Sequence, residues 1–228
     1  MSPTLLTPPR TARGAEQERR GLDTVAALPC IVALSGSPSP DSKTAMVVRQ
    51  VLDDLQAAGH ATHLLRLSDL DAGALLRGDT AEPGIAQAVA ALDAADGVIV
   101  ATPIFKASCS GLLKAFLDLL PQFALAGKTV LPLATGGSPA HVLALDYGLR
   151  PILQSMGPRH IVQAVFVATG QLSIVNGRLE LADDAQALLA EAVLHFRYSL
   201  RPEDRPVLLG HPRPIRAVPT EPSPSIGT

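Results

Sequence analysis

The runs Cys30-Ile31-Val32-Ala33 and Gly97-Val98-Ile99-Val100-Ala101 are apolar from end to end, with no polar residue breaking them. A strand with one wet face alternates polar and apolar side chains. A strand without alternation is covered on both faces, the situation of a parallel sheet lying between two layers of helices. The segments between such runs carry helical spacing instead. Met46, Val47, Val51, Leu52 and Leu55 recur along one face ahead of Gly59, which supplies a stop.

Read this way, the pattern predicts strands over 31–34, 62–67, 97–101, 129–134 and 160–168. Helices are predicted over 44–58, 83–95, 110–120, 139–156 and 183–200, with Pro83 favourable in a first turn and Pro121 closing the third helix. Pro132 lies inside the fourth strand although it has no N–H for a ladder, and Pro151 is expected to kink the fourth helix. Five strands alternating with helices predict an α/β fold: a doubly wound, five-stranded parallel sheet in three α/β/α layers. Its ligand belongs at the carboxyl ends of the strands.

The flanks are different. Residues 1–29 hold Pro3, Pro8 and Pro9 with no periodicity and read as a flexible leader, while 201–228 are proline-rich and read as a tail, leaving one domain over 30–200. A net charge of −2 without a basic run gives no reason to expect nucleic acid as a partner. Cys30 and Cys109 are the only cysteines, too few for a disulfide framework or a thiolate zinc site, and the histidines show no H-x-x-x-H spacing. With no signal-type or membrane-length apolar run, a soluble cytoplasmic protein is expected. His141 and Asp146 are five apart, off adjacent helical turns, and read as structural or interface residues.

Three loops at the predicted carboxyl edge have unusual compositions: S-G-S-P-S-P-D-S-K-T after the first strand, T-P-I-F-K-A-S-C-S-G after the third and T-G-G-S-P after the fourth. Hydroxyls and N–H groups ahead of a helix make a phosphate site. The first loop lacks both G-x-x-x-x-G-K-[ST] and G-x-G-x-x-G, so neither a P-loop nor a dinucleotide pyrophosphate site is provided for. A single terminal phosphate there, with two more loops framing a flat group, is the layout of a flavodoxin-like FMN site.

The stretches L-S-G-S-P, A-D-G-V-I-V-A-T-P-I-F-K-A-S-C-S-G-L-L-K-A-F-L-D-L-L-P and G-K-T-V-L-P-L-A-T-G-G-S-P-A-H-V-L-A-L-D-Y-G-L-R-P-I-L occur in this order. In them the chain resembles the NAD(P)H-dependent FMN reductase family, and within it the flavin reductases of two-component sulfonate and sulfone monooxygenases. The resemblance implies hydride transfer from NADH or NADPH to FMN, a partner monooxygenase receiving reduced FMN, and a homo-oligomer. It implies FMN phosphate around Ser35, Ser37, Ser42, Lys43 and Thr44. It places Pro103, Ile104, Phe105 and Lys106 along the ring and ribityl side, and Thr135, Gly136 and Gly137 at the other ring edge. No proton-transferring residue is implied. The resemblance also implies a tyrosine in a π-bulge where this chain has Cys109. Two other readings fit the same scaffold: a quinone, azo or chromate reductase holding FMN tightly, and a flavodoxin-like electron carrier.

Overall fold

A computed structural model describes residues 28–39 and 41–200; both predicted tails otherwise lie outside the described residues. The central strands are β1 (Cys30–Ser35), β2 (Ala61–Arg66), β3 (Gly97–Pro103) and β4 (Thr129–Gly136), followed by the short β5 (His160–Ile161) and β6 (Val165–Ala168). They lie in the order β2-β1-β3-β4-β5, with β6 also pairing β4, and every pairing is parallel. The helices are α1 (Lys43–Ala57), α2 (Ala72–Arg77), α3 (Pro83–Ala94), α4 (Gly111–Leu119), α5 (Arg150–Ser155) and α6 (Asp183–Ser199).

The unbroken apolar strands explain the layering. Along β1, Val32 and Leu34 enter one buried cluster while Ile31 and Ala33 enter the other, and β3 divides Val98 and Val100 from Ile99 and Ala101 in the same way. The first cluster packs under α3, α4 and α5, and the second under α1 and α6. Each fully buried Val, Ile or Leu contributes about 1.5–3 kcal/mol of transfer free energy, so both faces hold the sheet. Gly59, at φ +91, ends α1 as its position predicts.

The fifth strand is not continuous over 160–168. Ile161 pairs with Val130 and Val165 with Leu133, so four steps on one chain face three on the other, an extra residue of the bulge kind. The interruption lies opposite Pro132. Val162 donates to the Val130 carbonyl (2.9 Å), so residues 130 and 132 face this neighbour, and here proline has no N–H to offer. Pro132 thus occupies a central strand by breaking the ladder on one side.

The helix predicted over 139–156 is also divided. A short 3₁₀ turn (Pro139–His141) precedes a π turn (Leu145–Leu149), in which Arg150 N–H reaches the Leu145 carbonyl, and only then does α5 begin. Pro151 cannot donate to the carbonyl one turn back and its ring crowds that carbonyl; the widened turn accommodates both, in place of a simple kink. The π turn therefore stands at Leu145–Leu149 and carries Tyr147, whereas Cys109 lies just before α4, outside any π segment. Cys109, where the chain departs from the family's tyrosine, thus carries no π turn.

A hairpin, β7 (Leu172–Val175) with β8 (Arg178–Leu181), adds a two-stranded antiparallel sheet that the periodicity did not predict. Its turn is Asn176-Gly177, both at positive φ, a pair that favours two-residue hairpins.

Candidate active site

The first loop is built on close packing. Gly36 N–H donates to the Ala101 carbonyl (2.8 Å), and a Cβ at Gly36 would come within 2.7 Å of Leu113 Cβ. Only glycine lets β1 leave the sheet this close to α4. Ser110 fastens the same corner: its hydroxyl donates to the Gly36 carbonyl (2.6 Å) and accepts from Leu113 N–H (3.1 Å) as the N-cap of α4. Ser110 N–H in turn donates to Thr102 Oγ1 (2.9 Å). The sequence reading missed Ser110, Thr102 and Gly36 as determinants of the site's shape; the Ser before a helical run was the available signal for the cap.

At the start of α1, Ser42 Oγ accepts from Ala45 N–H (3.1 Å), and the first intrahelical bond runs from Met46 N–H to the Ser42 carbonyl (3.0 Å). The N–H groups of Lys43 and Thr44 precede that ladder and donate to no described residue, so they are unspent donors at the positive end of a 15-residue helix. Ser35 and Ser37, on the same loop ahead of α1, are buried, and Ser37 Oγ accepts from Ser39 N–H (3.3 Å). Lys43 points elsewhere. Its Nζ donates to the carbonyls of Thr169 (2.9 Å) and Leu172 (3.1 Å), pinning the base of the β7–β8 hairpin to α1.

The third loop meets the first directly. Thr44 and Thr135, both buried, are joined by a hydroxyl–hydroxyl hydrogen bond of 2.6 Å. Gly136 is packed, since an added Cβ would meet the Phe166 ring at 3.0 Å, whereas nothing lies within 4 Å of one at Gly137. Gly137 leaves its backbone open to close approach.

The second loop is joined to the third where Ile104 N–H donates to the Thr135 carbonyl (2.8 Å). Phe105 and Ser108 then exchange two backbone bonds of 3.0 Å around Lys106 (φ 49) and Ala107 (φ 60). Two consecutive non-glycine residues at positive φ are strained, by about 1–2 kcal/mol each. Ile104 is buried under the turn, Pro103 is half-buried, and Phe105 is 51% exposed at the rim with Lys106 beside it. The π turn flanks this loop, as a Cβ at Gly148 would face Ser108 Oγ at 3.8 Å.

Loops one, two and three thus converge on one edge, with every predicted site residue on them, though Lys43 turns its amine to the hairpin. A separate cleft of about 630 Å³ lies between α3 and residues 119–124, lined by Val89, Leu92, Leu119 and Phe123. Among the described residues Thr80 and Asp93 supply its only polar side chains, too few for the convergent donors of an oxyanion site. No group of three or more His, Cys, Asp or Glu residues suited to a metal ion occurs among the described residues. None of the helices searched there is long and apolar enough to cross a membrane.

A doubly wound sheet with hydroxyl-rich and glycine-rich loops at its carboxyl edge defines a flavodoxin-like oxidoreductase scaffold. A solved flavodoxin from Streptococcus pneumoniae shares the fold at 16% identity, with a TM-score of 0.50 over 75% of this chain and 98% of its own. A crystal structure of an apo NADH:FMN oxidoreductase, EmoB, is 54% identical with a TM-score of 0.72, over 77% of this chain and 92% of that one. The curated FMN reductase (NADPH) of Pseudomonas putida is 36% identical over 182 residues, 79% of this chain and 92% of the relative. The NADH-dependent FMN reductase SfnE of Pseudomonas putida is 33% identical over 147 residues, 63% of this chain and 78% of the relative. The family model described as NADPH-dependent FMN reductase matches residues 29–176. The chain belongs to this family of enzymes.

Proposed function

We propose that the chain oxidises NADH or NADPH, reduces FMN at the carboxyl edge of its sheet, and releases reduced FMN to a separate flavin-dependent monooxygenase. The observation that carries the site assignment is the unspent donor set at the start of α1: the N–H groups of Lys43 and Thr44, with buried hydroxyls around them. These donors fit a phosphate monoester by chemistry and by number. FMN held there would accept a hydride equivalent from a reduced nicotinamide, the chemistry belonging to the two cofactors.

The chain's own part is to bind and orient. Ser35, Ser37, Ser42 and Thr44 surround the phosphate end together with the α1 N-terminus, where Lys43 contributes its backbone N–H while its amine holds the hairpin. Pro103, Ile104, Phe105 and Lys106 form one wall. Gly136 and Gly137 form the opposite edge, where the open Gly137 backbone lets a ring come close, and Thr135 stands between that edge and the phosphate end with its hydroxyl on Thr44. Phe105 at the rim is an aromatic surface for a flat group and, half exposed, suits a flavin that leaves after reduction.

The likeness to the NADH-dependent FMN reductase SfnE supports the flavin-reducing step, and the resemblance carried by the three loop motifs supports a partner monooxygenase of the sulfonate or sulfone type. Exposed Val142, Leu143 and Tyr147, around the π turn, supply an apolar surface for self-association into a dimer or tetramer. The test is anaerobic oxidation of NADH and NADPH by apoprotein with excess FMN. Turnover beyond one flavin per subunit is the expected result. Reduction stopping at one flavin per subunit would replace the proposal with a tightly held FMN serving another acceptor, and no oxidation would point to an electron carrier.

A further inference from the structure

Two buried threonines facing each other share an accounting of protons. Each hydroxyl has one proton and two lone pairs, and the 2.6 Å contact between Thr44 Oγ1 and Thr135 Oγ1 uses one proton of the pair. The other proton leaves from whichever residue accepts. If Thr44 donates, the remaining proton is on Thr135 at the end of β4; if Thr135 donates, it is on Thr44 at the start of α1. An anion at the α1 N-terminus, beside the N–H groups of Lys43 and Thr44, decides the direction, because it rewards a donor on Thr44 and not on Thr135.

We propose that Thr135 is a positioning residue for the phosphate: it donates to Thr44, and so directs the Thr44 hydroxyl proton at the oxyanion. The proposal deepens the FMN-site reading and rests on it. It gives Thr135 a role other than the ring-edge contact expected from its place beside Gly136. Burial supports it, since both residues are nearly inaccessible and neither hydroxyl has another described partner. A chain of two hydroxyls ending on a charged acceptor is polarised along its length, so the terminal bond is stronger than a lone hydroxyl would make. The backbone of Thr135 is held independently, through Ile104 N–H on its carbonyl and through the β3 and β6 ladders, so the hydroxyl can be removed without moving the strand.

The experiment measures equilibrium binding of FMN and of riboflavin, which lacks the phosphate, by flavin fluorescence on wild type and on Thr135→Val, Thr135→Ser and Thr44→Val. The relay predicts that Thr135→Val weakens FMN binding about tenfold while leaving riboflavin binding unchanged. Thr135→Ser should restore FMN affinity, and Thr44→Val combined with Thr135→Val should be no weaker than Thr44→Val alone. An equal loss for FMN and riboflavin in Thr135→Val would overturn the relay in favour of a ring-edge contact, and no loss for either would overturn it outright. Both results leave the phosphate site standing if wild type prefers FMN to riboflavin. A wild type with no such preference removes the site reading and the relay together. Unfolding midpoints of the variants show whether a loss reflects folding, and a Thr135→Val protein that binds riboflavin normally is folded at the site.

Discussion

At the amino edge of the sheet, the principal polar groups are committed to partners within the chain. The buried Lys128 ammonium donates to the carbonyls of Asp93 and Ala95, each at 2.7 Å, and Asp96 Oδ2 accepts from Cys30 N–H (3.0 Å). Arg159 donates to Thr129 Oγ1 (2.6 Å) and to the Ser199 carbonyl, which also accepts from the Thr129 hydroxyl (3.1 Å), tying α6 to β4. At the carboxyl edge the Lys43 and Thr44 N–H groups donate to no described residue, Gly137 faces open space, and one turn is strained. The difference separates roles. One edge spends its hydrogen-bonding capacity on stability, and the other holds capacity for something that arrives.

The largest expected effect tests the committed edge. Lys128→Met keeps the length of the side chain and removes the donors, leaving the carbonyls of Asp93 and Ala95 unsatisfied beside a buried thioether. We expect about 3 kcal/mol of lost stability, read as a lower urea midpoint at unchanged slope, with flavin affinity of the folded fraction unaltered. A flavin affinity that fell in step with stability would show the two edges to be coupled.

Gly137→Val is the converse experiment at the open edge. Because an added Cβ there meets nothing within 4 Å, stability should change by less than about 0.5 kcal/mol beyond the glycine's own backbone entropy. FMN affinity should fall about tenfold, as the branched side chain fills the space in which a ring edge would lie. Loss of stability with intact FMN binding would break the contrast from the other side.

A smaller effect follows from two turns of one kind. Asn176-Gly177 closes the β7–β8 hairpin with residues suited to positive φ, whereas Lys106-Ala107 makes a similar two-residue turn with residues that are not. Backbone strain of this sort persists where surrounding structure enforces it, and it collects at functional sites. Ala107→Gly should stabilise the protein by about 0.5–1 kcal/mol, the relief of a Cβ at φ 60 less the added entropy of the unfolded chain. Calorimetry detects this as a small rise in Tm. If the strained turn also orders Phe105 for a ligand, the same variant weakens FMN binding while raising Tm.

The two edges were not equally legible in the amino-acid sequence. Strands and layers were, because β1, β3 and β4 are apolar on both faces, as a covered parallel sheet requires, and helical spacing fills the segments between them. The three loops that meet at the carboxyl edge were legible by composition and order as a candidate site. Pro132 announced a difficulty, but where its missing donor would be absorbed depended on the neighbouring strand, whose extra residue lies between Ile161 and Val165. The hairpin carried its own signal in Asn176-Gly177, but β7 has three exposed residues in a row and β8 alternates over only four, so neither strand gave a period-2 pattern long enough to register. The destination of Lys43 was illegible for a deeper reason. Its acceptors are carbonyls of Thr169 and Leu172, more than a hundred residues away, and backbone acceptors leave no mark on residue type.

The smallest effect concerns pH at the amino edge. His160 opens β5, and its pKa is lowered from the ordinary 6.5 first by partial burial and then by the positive charges of Arg159 and Arg150. The fold therefore favours neutral imidazole, and between the folded and ordinary values the unfolded chain binds more protons than the native one. Stability from this source is undiminished above 6.5 and declines as pH falls through that window. His160→Gln keeps a neutral polar side chain and removes the titration, so the drop in urea midpoint between about pH 7.5 and about pH 5.5 should be slightly smaller in the variant than in wild type. Solvent and salt screen the two arginines at this half-open position, so the difference should shrink further as ionic strength rises. Identical pH dependence in the two proteins at low salt would show that neither the partial burial of His160 nor the charges of Arg159 and Arg150 disfavour its protonated form in the fold.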